Sequence, residues 1–371
     1  MEHRVIAINL PQFHPFKEND EWWGKGFTEW TNVTKAKPRF NGHYQPHLPT
    51  ETGFYDLRLP EARLMQANMA KEFGIYGFCY YHYWFNGKRL MNRPIDDILS
   101  SQEPNYPFML CWANENWSRN WDGGFDRILI KQEYCMEDDI RHMQWLCRNV
   151  FCDKRYIKVN GKPVFIVYNQ ESFPDIQTTI KTWRQIAQKE LHSDIYLMYA
   201  EHTTKFYGSD PTTLGFDASM DFQPIAVRLI QQPKYMWLKK FLHEHRKLNK
   251  IKPLRNYINR LPDIWNYKDM VNYHINNILP KIKRYPCVSP GFDNSPRREN
   301  STFYCFPDST PTLYEKWLSY YIKNFNPFSS EENFIFINAW NEWAEGNHLE
   351  PDNKWGKAYL EATKKAIQEN D

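Results

Sequence analysis

The stretch FIFINAWNEWAEGNHLEPD, residues 334–352, joins an apolar run to two closely spaced carboxylates. Its first seven residues are apolar apart from Asn338, which is typical of a strand buried on both faces. Asn341, Glu342 and Glu345 follow at the point where that strand should end. Carboxylates three residues apart on a turn or a first helical turn project from the same side. The stretch therefore predicts a buried strand that presents a carboxylate pair at its C-terminal end.

Seven further apolar runs of similar length precede this strand, and helical stretches separate several of them. Val, Ile, Tyr and Phe dominate these runs, as expected for parallel strands covered on both faces. Strands are predicted at 5–10, 75–81, 108–112, 164–168, 195–199, 216–222, 285–288 and 334–340, and helices at 61–73, 137–150, 177–190, 312–324 and 357–369. This alternation predicts an α/β fold, a (β/α)₈ TIM barrel, although a doubly wound open sheet alternates in the same way.

Polar or charged residues follow every predicted strand. In chain order they are Gln12 and His14, His82, Asn114 and Glu115, Asn169, Glu201 and His202, Asp221 and Gln223, Asp293 and Asn294, and Asn341, Glu342 and Glu345. Strand ends are often polar because they meet solvent, but here Trp and Tyr interleave with the polar groups. Since the C-terminal strand ends of a barrel carry its active site, we expect a cleft there.

Length and composition limit the class of protein. A chain of 371 residues fits one barrel with insertions, so a single domain over 1–371 is expected. The 17% aromatic content excludes a disordered chain. With 47 basic and 44 acidic residues the net charge is only +3, which argues against a nucleic-acid partner.

Other sequence features predict a cytoplasmic enzyme without a cofactor. No run of 18 apolar residues predicts a membrane span, and Asn9 and Pro11 interrupt the N-terminal apolar run too early for a signal peptide. The seven cysteines include no CxxC pair. No phosphate-binding loop is present, and Pro46 between His43 and His47 argues against a helical metal pair, so neither a cofactor nor a metal is expected.

The carboxylate pair suggests chemistry on sugars. Two carboxyl groups about 5 Å apart can cleave a glycosidic bond, one as acid and the other as nucleophile or base. Like charges crowded beside indole rings raise a pKa, as a general acid requires. Acidic residues that merely complement a helix N-terminus would show the same spacing. Glu115, in the segment CWANENW at 111–117, is the rival catalytic carboxylate.

Aromatic rings next to amides and carboxylates are typical of sugar-binding clefts. Trp22, Trp23, Trp112 and Trp117 are expected to line the cleft rather than the core. The full set of predicted substrate-binding residues is Trp22, Trp23, His82, Trp112, Asn114, Glu115, Trp117, Asp293, Asn341 and Trp343.

Five segments together resemble the WbsX family, which is grouped with the glycoside hydrolase family 99-like proteins of bacterial O-antigen and capsule gene clusters. These segments include LPQFHPFKENDEWWGKGFTEW at the N-terminus and INAWNEWAEGNHLEPD near the C-terminus, and they cover 10–49, 74–90, 108–123, 285–298 and 337–352. The resemblance is weakest over 225–284. It implies a barrel that acts on glycosidic bonds of cell-surface polysaccharide without a metal.

The resemblance also implies catalytic roles. In family 99 enzymes the first Glu of a similar NEWxEG motif is the base towards the sugar's own 2-hydroxyl, and a 1,2-anhydro sugar forms with net retention. The second Glu protonates the leaving oxygen, so these roles fall on Glu342 and Glu345. Ala344 stands where those enzymes commonly have His.

Three functions remain open from the sequence. Retaining glycosidase or transglycosidase chemistry is favoured, because the chain has neither a DxD triplet nor a phosphate-binding loop. The alternative is a glycosyltransferase of lipopolysaccharide or O-antigen biosynthesis, the activity usually ascribed to WbsX proteins. A non-catalytic glycan-binding protein is the third.

The region 225–284 is predicted to be a helical insertion after the sixth strand. It contains 14 Lys or Arg and three acidic residues, a net charge of +11, whereas the rest of the chain has −8. Trp237, Phe241 and Leu242 recur at helical spacing among these basic residues. A basic amphipathic helix of this kind can lie on an anionic membrane, although its apolar face can equally pack on the barrel.

Overall fold

The computed structural model describes residues 3–118, 128–277, 282–298 and 301–368. In this part of the chain eight parallel strands form the central sheet. They are β1 Arg4–Asn9, β2 Gly77–Phe85, β3 Phe108–Trp112, β4 Lys162–Val167, β5 Tyr196–Ala200, β6 Ala218–Met220, β7 in two pieces, Arg284–Tyr285 and Cys287–Val288, and β8 Phe334–Ile337.

The helices of the described residues lie between and after these strands. They are α1 Lys17–Trp23, α2 Glu29–Lys35, α3 Pro60–Glu72, α4 Arg93–Ser101, α5 Met136–Asn149, α6 Ile176–Leu191, α7 Val227–Ile230, α8 Met236–Glu244, α9 Arg246–Asn249, α10 Lys252–Asn259, α11 Tyr267–Asn276, α12 Pro311–Asn324 and α13 Ala358–Gln368.

The sheet closes through its seventh strand. Neighbouring strands pair in parallel from β6 back to β1, and β1 then pairs with β8. Tyr285 of the first piece of β7 pairs with Met220 of β6, whereas Cys287 of the second piece pairs with Phe336 of β8. Pro286 divides the two pieces, because proline has no N–H to donate to a ladder. An open sheet would leave two unpaired edges, so the prediction of a (β/α)₈ barrel is confirmed.

Apolar side chains fill both the barrel and the layer between strands and helices. The strand residues Val5–Ile8 and Phe334–Ile337 are fully buried, as their continuous apolar sequence predicts. Trp183 of α6 is buried against Trp112 and Phe165 of the sheet, and Trp317 of α12 is buried against Tyr267 and His274 of α11. Between β5 and β6 a short 3₁₀ turn, Pro211–Leu214, takes the place of a full helix.

The predicted insertion after β6 contains two different parts. Helices α7–α10 and the short strand Asp263–Ile264, which pairs with Tyr304–Cys305, form an extra layer beside the barrel. Helix α11 instead packs against α12 as an ordinary barrel helix. None of the helices in the described ranges is both long and apolar enough to cross a lipid bilayer.

Candidate active site

A cavity of about 560 Å³ opens at the C-terminal ends of the barrel strands. Its volume is in the usual range for small-molecule and cofactor sites. Residues that end or follow seven of the eight strands line it, namely Leu10, Phe85, Ala113, Tyr168, His202, Phe222 and Asn338. The cavity therefore lies at the barrel face where the polar strand ends lead us to expect a cleft.

Glu342 and Glu345 lie on a tight hairpin at the wall of this cavity. Asn341–Glu342 pairs antiparallel with Asn347–His348, and a 3₁₀ turn, Trp343–Glu345, joins them. Gly346 closes the turn with φ of +53°, and a Cβ there would lie 3.0 Å from the Cβ of Asp293. Only glycine fits this conformation and this spacing without strain. The hairpin therefore fixes both carboxylates relative to one another.

Arg297 joins the two carboxylates. Its Nη2 donates to Glu342 Oε2 over 2.9 Å, and its Nη1 donates to Glu345 Oε1 over 2.6 Å. The same guanidinium binds a third carboxylate, that of Glu29 on α2, through Nε at 3.0 Å and through Nη2. One positive charge is therefore shared among three carboxylates, all in contact with the cavity or directly behind it.

The surplus of carboxylates changes their protonation. Burial, supported by the charges of Glu345 and Glu29, raises the pKa of Glu342 to about 8, although Arg297 acts in the opposite direction. Burial also raises the pKa of Glu29, again against the effect of Arg297. Glu342 is therefore mainly protonated at neutral pH, and a carboxyl pKa raised in this way is a condition for acid–base chemistry.

Arg297 and Glu29 are absent from the sequence prediction. They lie 268 residues apart in the chain and meet only because α2 and the loop after β7 pack against the Glu342 hairpin. Both residues do lie in segments that carry the family resemblance. A buried Glu at the start of a short helix and an Arg after a strand give no catalytic signal on their own.

One aromatic wall of the cavity comes from β2 and the residues after β3. Tyr81, Tyr83 and Phe85 of β2 line the cavity, and Trp117 lies beside them, 5.4 Å from Tyr83 between ring centroids. Burial and the charge of Glu342 raise the pKa of Tyr83. These rings lie close to the carboxylates and can stack against the CH faces of a sugar.

His82 and Trp112 lie on the opposite faces of their strands, away from the cavity. His82 Nε2 is 2.9 Å from Nε2 of His142 on α5, and its ring stacks on that of Trp145. The Trp112 ring packs edge-on against Phe173. Successive side chains of a strand point to opposite faces, so Tyr81 and Tyr83 face the cavity while His82 faces the helices. We therefore correct the predicted sugar contact of these two residues: both belong to the core.

Trp22 and Trp23 are half-buried on α1 and do not line the cavity. Trp22 lies behind Trp117, with ring centroids 6.2 Å apart, and Trp23 stacks on Phe27. Of the four tryptophans expected in the cleft, Trp117 alone lines it. The α1 pair instead supports the wall from outside.

Asn114, Asn341 and Trp343 are buried and serve the framework of the site. Asn341 accepts from the backbone N–H of Leu10 at 2.7 Å and donates to its carbonyl at 3.0 Å, which ties β1 to the hairpin. Asn114 Nδ2 donates to the Asn169 carbonyl at 2.6 Å. The Trp343 indole donates to Glu350 over 2.7 Å. Asn341 and Trp343 therefore support the site rather than making the predicted contact with sugar. Asn114 also lines a neighbouring cavity of about 430 Å³ together with Glu115, so its sugar contact stays a prediction.

Glu115 and Asp293 occupy different places. Glu115 lines the cavity, accepts from Asn169 Nδ2 at 2.9 Å and lies 3.6 Å from His202 Nε2. Asp293 is buried behind the hairpin, where His43 and Gln45 each contact its Oδ2 at 2.6 Å. It was predicted to bind substrate, but it does not line the cavity. Residues 119–127, which include Trp121 and Asp122, lie outside the described part of the chain.

The sequence matches a known protein family and two curated relatives. A family model described as "Glycosyltransferase WbsX" matches residues 5–363. Two proteins described as "Uncharacterized protein WxcX", from Xanthomonas campestris pv. campestris strains B100 and ATCC 33913, are each 36% identical over 364 residues. The match covers 98% of this chain and 49% of each relative. The chain thus spans about half the length of the curated relatives it matches.

Solved structures share the fold at low sequence identity. A "glycoside hydrolase-like protein" superposes with a TM-score of 0.59 at 13% identity, covering 99% of this chain and 94% of the other. The GH99 endo-alpha-mannosidase from Bacteroides thetaiotaomicron superposes with a TM-score of 0.57 at 14% identity, covering 99% and 97%. The barrel is therefore one that glycoside hydrolases use.

Proposed function

From the premise that this chain belongs to the WbsX family, we propose that it is a retaining glycosidase or transglycosidase in which Glu342 and Glu345 act on a glycosidic bond. One observation carries the proposal. Both carboxylates bind the guanidinium of Arg297 at the wall of the cavity at the strand ends. Arg297 sets the spacing of the pair and offsets part of its negative charge.

The proposed reaction follows the family 99 pattern. Ionised Glu342 removes the proton of the sugar's 2-hydroxyl, and the freed oxygen attacks the anomeric carbon. The glycosidic bond breaks as Glu345 gives its proton to the leaving oxygen, and a 1,2-anhydro sugar forms. Glu345, now ionised, takes a proton from water or an acceptor hydroxyl, whose oxygen opens the anhydro ring. Glu342 returns its proton to the 2-oxygen, so the configuration is retained overall.

The surroundings of the pair suit this chemistry. Burial gives Glu342 a pKa of about 8, so only a minority of this carboxyl is ionised at neutral pH, but that ionised form is a stronger base than an exposed carboxylate. Ala344, where family 99 enzymes commonly have His, is fully buried and offers no hydrogen bond to Glu345. The acid therefore depends on Arg297 for its orientation.

The cavity also indicates a class of substrate. Tyr81, Tyr83 and Trp117 provide rings for stacking, and Arg228 and Arg298 line the cavity together with Arg297. The same lining contains Glu115, Glu342 and Glu345, so the charges of the three arginines are offset and the cavity selects for no net charge on the sugar. We propose that the substrate is a cell-surface polysaccharide of O-antigen or capsule type, or a lipid-linked precursor of one.

The family's description favours one alternative, a glycosyltransferase, and product analysis separates the two. The purified chain is incubated with bacterial surface polysaccharides, with and without added acceptor oligosaccharide, and products are followed by NMR. Shortened or rearranged chains of retained anomeric configuration, without any nucleotide sugar, support our proposal. Products that form only when a nucleotide sugar is supplied support the transferase. Binding without turnover would leave a glycan-binding protein.

We also propose that the extra layer after β6 contacts an anionic membrane. Leu242 of α8 packs inward, whereas Trp237 and Phe241 on the same helix are 65% and 45% exposed. Exposed Ile251 and Tyr257 belong to the same layer. Exposed aromatic rings within a region of net charge +11 suit the headgroup zone of an anionic bilayer.

Sedimentation with liposomes tests the membrane contact. The chain should pellet with anionic vesicles at low salt and not with neutral ones, and binding should fall steeply as ionic strength rises. Replacing Trp237 and Phe241 by Ala should weaken binding, whereas Leu64→Ala, at an exposed apolar site on α3, should not. Absence of binding at low salt would show that the layer only elaborates the barrel.

A further inference from the structure

Three potential metal ligands meet outside the cavity. His47 lies in the loop that follows α2, His348 ends the hairpin that carries Glu342 and Glu345, and Asp352 follows four residues later. Their ligand atoms all lie within 4.8 Å of one another. Among the described residues, this is the group of three or more His, Cys, Asp or Glu side chains that lie close enough together to bind a metal ion. His348 and Asp352 are buried, and His47 is largely so.

The hydrogen bonds around this group leave His348 Nε2 and Asp352 Oδ2 facing His47 Nδ1. His348 Nδ1 lies 2.9 Å from the Glu350 carbonyl oxygen. Because a carbonyl oxygen can only accept a hydrogen bond, Nδ1 carries the proton, and in the neutral ring Nε2 has the free lone pair. Asp352 Oδ1 accepts from the backbone N–H groups of Lys354 and Trp355. Its other oxygen, Oδ2, is left to face the two imidazoles.

The distances fit a shared ion. His47 Nδ1 and His348 Nε2 are 3.1 Å apart, and Asp352 Oδ2 lies 3.8 Å from each. An oxygen at 3.8 Å is too far for a hydrogen bond to either ring. Ligands of a tetrahedral ion, each about 2.0 Å from the metal, stand about 3.3 Å from one another. A small movement of the carboxylate therefore brings all three atoms to bonding distance.

We propose that His47, His348 and Asp352 bind a divalent transition metal ion of the Zn²⁺ class. Two imidazoles and one carboxylate are the donor set such ions prefer, whereas Mg²⁺ and Ca²⁺ require mainly oxygen ligands. A separate cavity of about 40 Å³ adjoins all three residues and has room for a water molecule as a further ligand. Pro46 argues against a helical metal pair of His43 and His47, and the partners of His47 proposed here lie more than 300 residues further along the chain, where sequence spacing gives no sign of them.

The ion would stabilise the segment that carries the catalytic carboxylates. The His348 ring stacks on Trp343 at 3.8 Å, and His348 pairs with Asn341 in the hairpin. Pro49 and Asp352 form a β-bridge close by, so the ion would join the loop after α2 to the chain after β8. This role is structural and does not depend on the proposed sugar chemistry.

Calorimetric titration of the full chain with Zn²⁺, after removal of metal by a chelator and dialysis, tests the site. One equivalent should bind tightly, and the thermal midpoint should rise until one equivalent has been added. His348→Gln and Asp352→Asn should each weaken binding at least about 100-fold, since even changes behind a ligand cost up to that much. His243→Gln, at an exposed histidine on α8, should change nothing.

X-ray absorption on the zinc-loaded wild type provides a test that does not depend on how the variants fold. Scattering from two imidazoles and one or more oxygens is the expected result. Absence of binding, equal affinity in wild type and both ligand variants, or a coordination shell without two imidazoles would overturn the proposal. The histidines would then form only a hydrogen-bonded pair.

Discussion

Two buried arginines gather carboxylates in this barrel, and they do so differently. Arg297 binds Glu29, Glu342 and Glu345 at the wall of the open cavity. Arg284 on β7 binds Glu201 and Asp221, which follow β5 and β6, and neither the arginine nor its two partners line the cavity. Four of the five carboxylates follow strands at the C-terminal end of the barrel, and the fifth, Glu29, lies on α2, which packs against that end.

The Arg284 cluster has its hydrogen bonds supplied by the framework. Glu201 receives Arg284 Nε at 2.9 Å and the Ser219 hydroxyl at 2.7 Å on one oxygen, and the Gly208 N–H at 2.9 Å on the other. Arg284 Nη2 donates to Asp221 over 2.7 Å, and its guanidinium lies over the Tyr207 ring. Such a closed network holds strands together and leaves no group for a substrate.

On this difference we propose that the Arg297 cluster is catalytic and that the Arg284 cluster, built from the same residue types, is structural. The Arg297 cluster has three carboxylates for one guanidinium and opens to the cavity, so its members can exchange protons with a ligand. The Arg284 cluster has two carboxylates and is closed. Variants of the two clusters should therefore separate loss of turnover from loss of stability.

The largest expected effect is on turnover in Glu345→Gln. Removing the general acid should reduce turnover of the natural substrate at least about 10³-fold. Turnover of a substrate with a good leaving group, such as an aryl glycoside of the same sugar, should fall far less, because that group departs without a proton. Steady-state kinetics on both substrates measure the contrast. Equal losses on the two would show that Glu345 is not the acid.

The next largest effect is on stability in Arg284→Met. The change leaves Glu201 and Asp221 buried without their cation, which should lower the free energy of unfolding by about 3–5 kcal/mol. Arg93→Met is the matched control, because that arginine is 66% exposed in its pair with Asp97 and should cost at most about 1 kcal/mol. Urea unfolding measures both. A stable Arg284→Met protein that has lost turnover would reverse the roles of the two clusters.

A smaller effect is expected in the pH dependence of kcat/KM. With a good leaving group no acid is needed, so the rate follows the ionised fraction of Glu342. Because the pKa of that carboxyl is about 8, kcat/KM should rise with pH, about tenfold per unit below pH 8, and level off above it. A rate that instead falls as pH rises through 8 would make neutral Glu342 the catalytic form, and thus an acid.

The sequence predicted the barrel and the carboxylate pair at the end of the last strand because both depend on local pattern, but it did not predict the hairpin that holds the pair. Continuous apolar runs predicted the strands, and the carboxylates that follow the last strand lie at the cavity. The aromatic residues were predicted less well. The motif around His82 was identified, but the alternation of side chains along β2 puts Tyr81 and Tyr83 in the cavity and His82 outside it.

The sequence could not predict which residues that are distant in the chain lie in contact in the fold. Arg297 and Glu29 contact the hairpin from 45 and more than 300 residues away, and His47 approaches His348 from 301 residues away. Each is an ordinary residue in its own segment. Only the closure of the barrel, which brings the N-terminal loops beside β8, places them together.

The central claim is that the Arg297 cluster is catalytic and the Arg284 cluster is structural, and parallel measurement of Glu342→Gln and Glu201→Gln tests it most directly. Each variant keeps its shape and loses a carboxyl group that can ionise, and turnover and thermal midpoint are measured on the same preparations. Glu342→Gln should lose turnover at least about 10³-fold with little change in thermal midpoint. Glu201→Gln should lower the midpoint and keep turnover at temperatures where it is folded. Near-full turnover in Glu342→Gln would contradict the account and make Glu115 the candidate carboxylate.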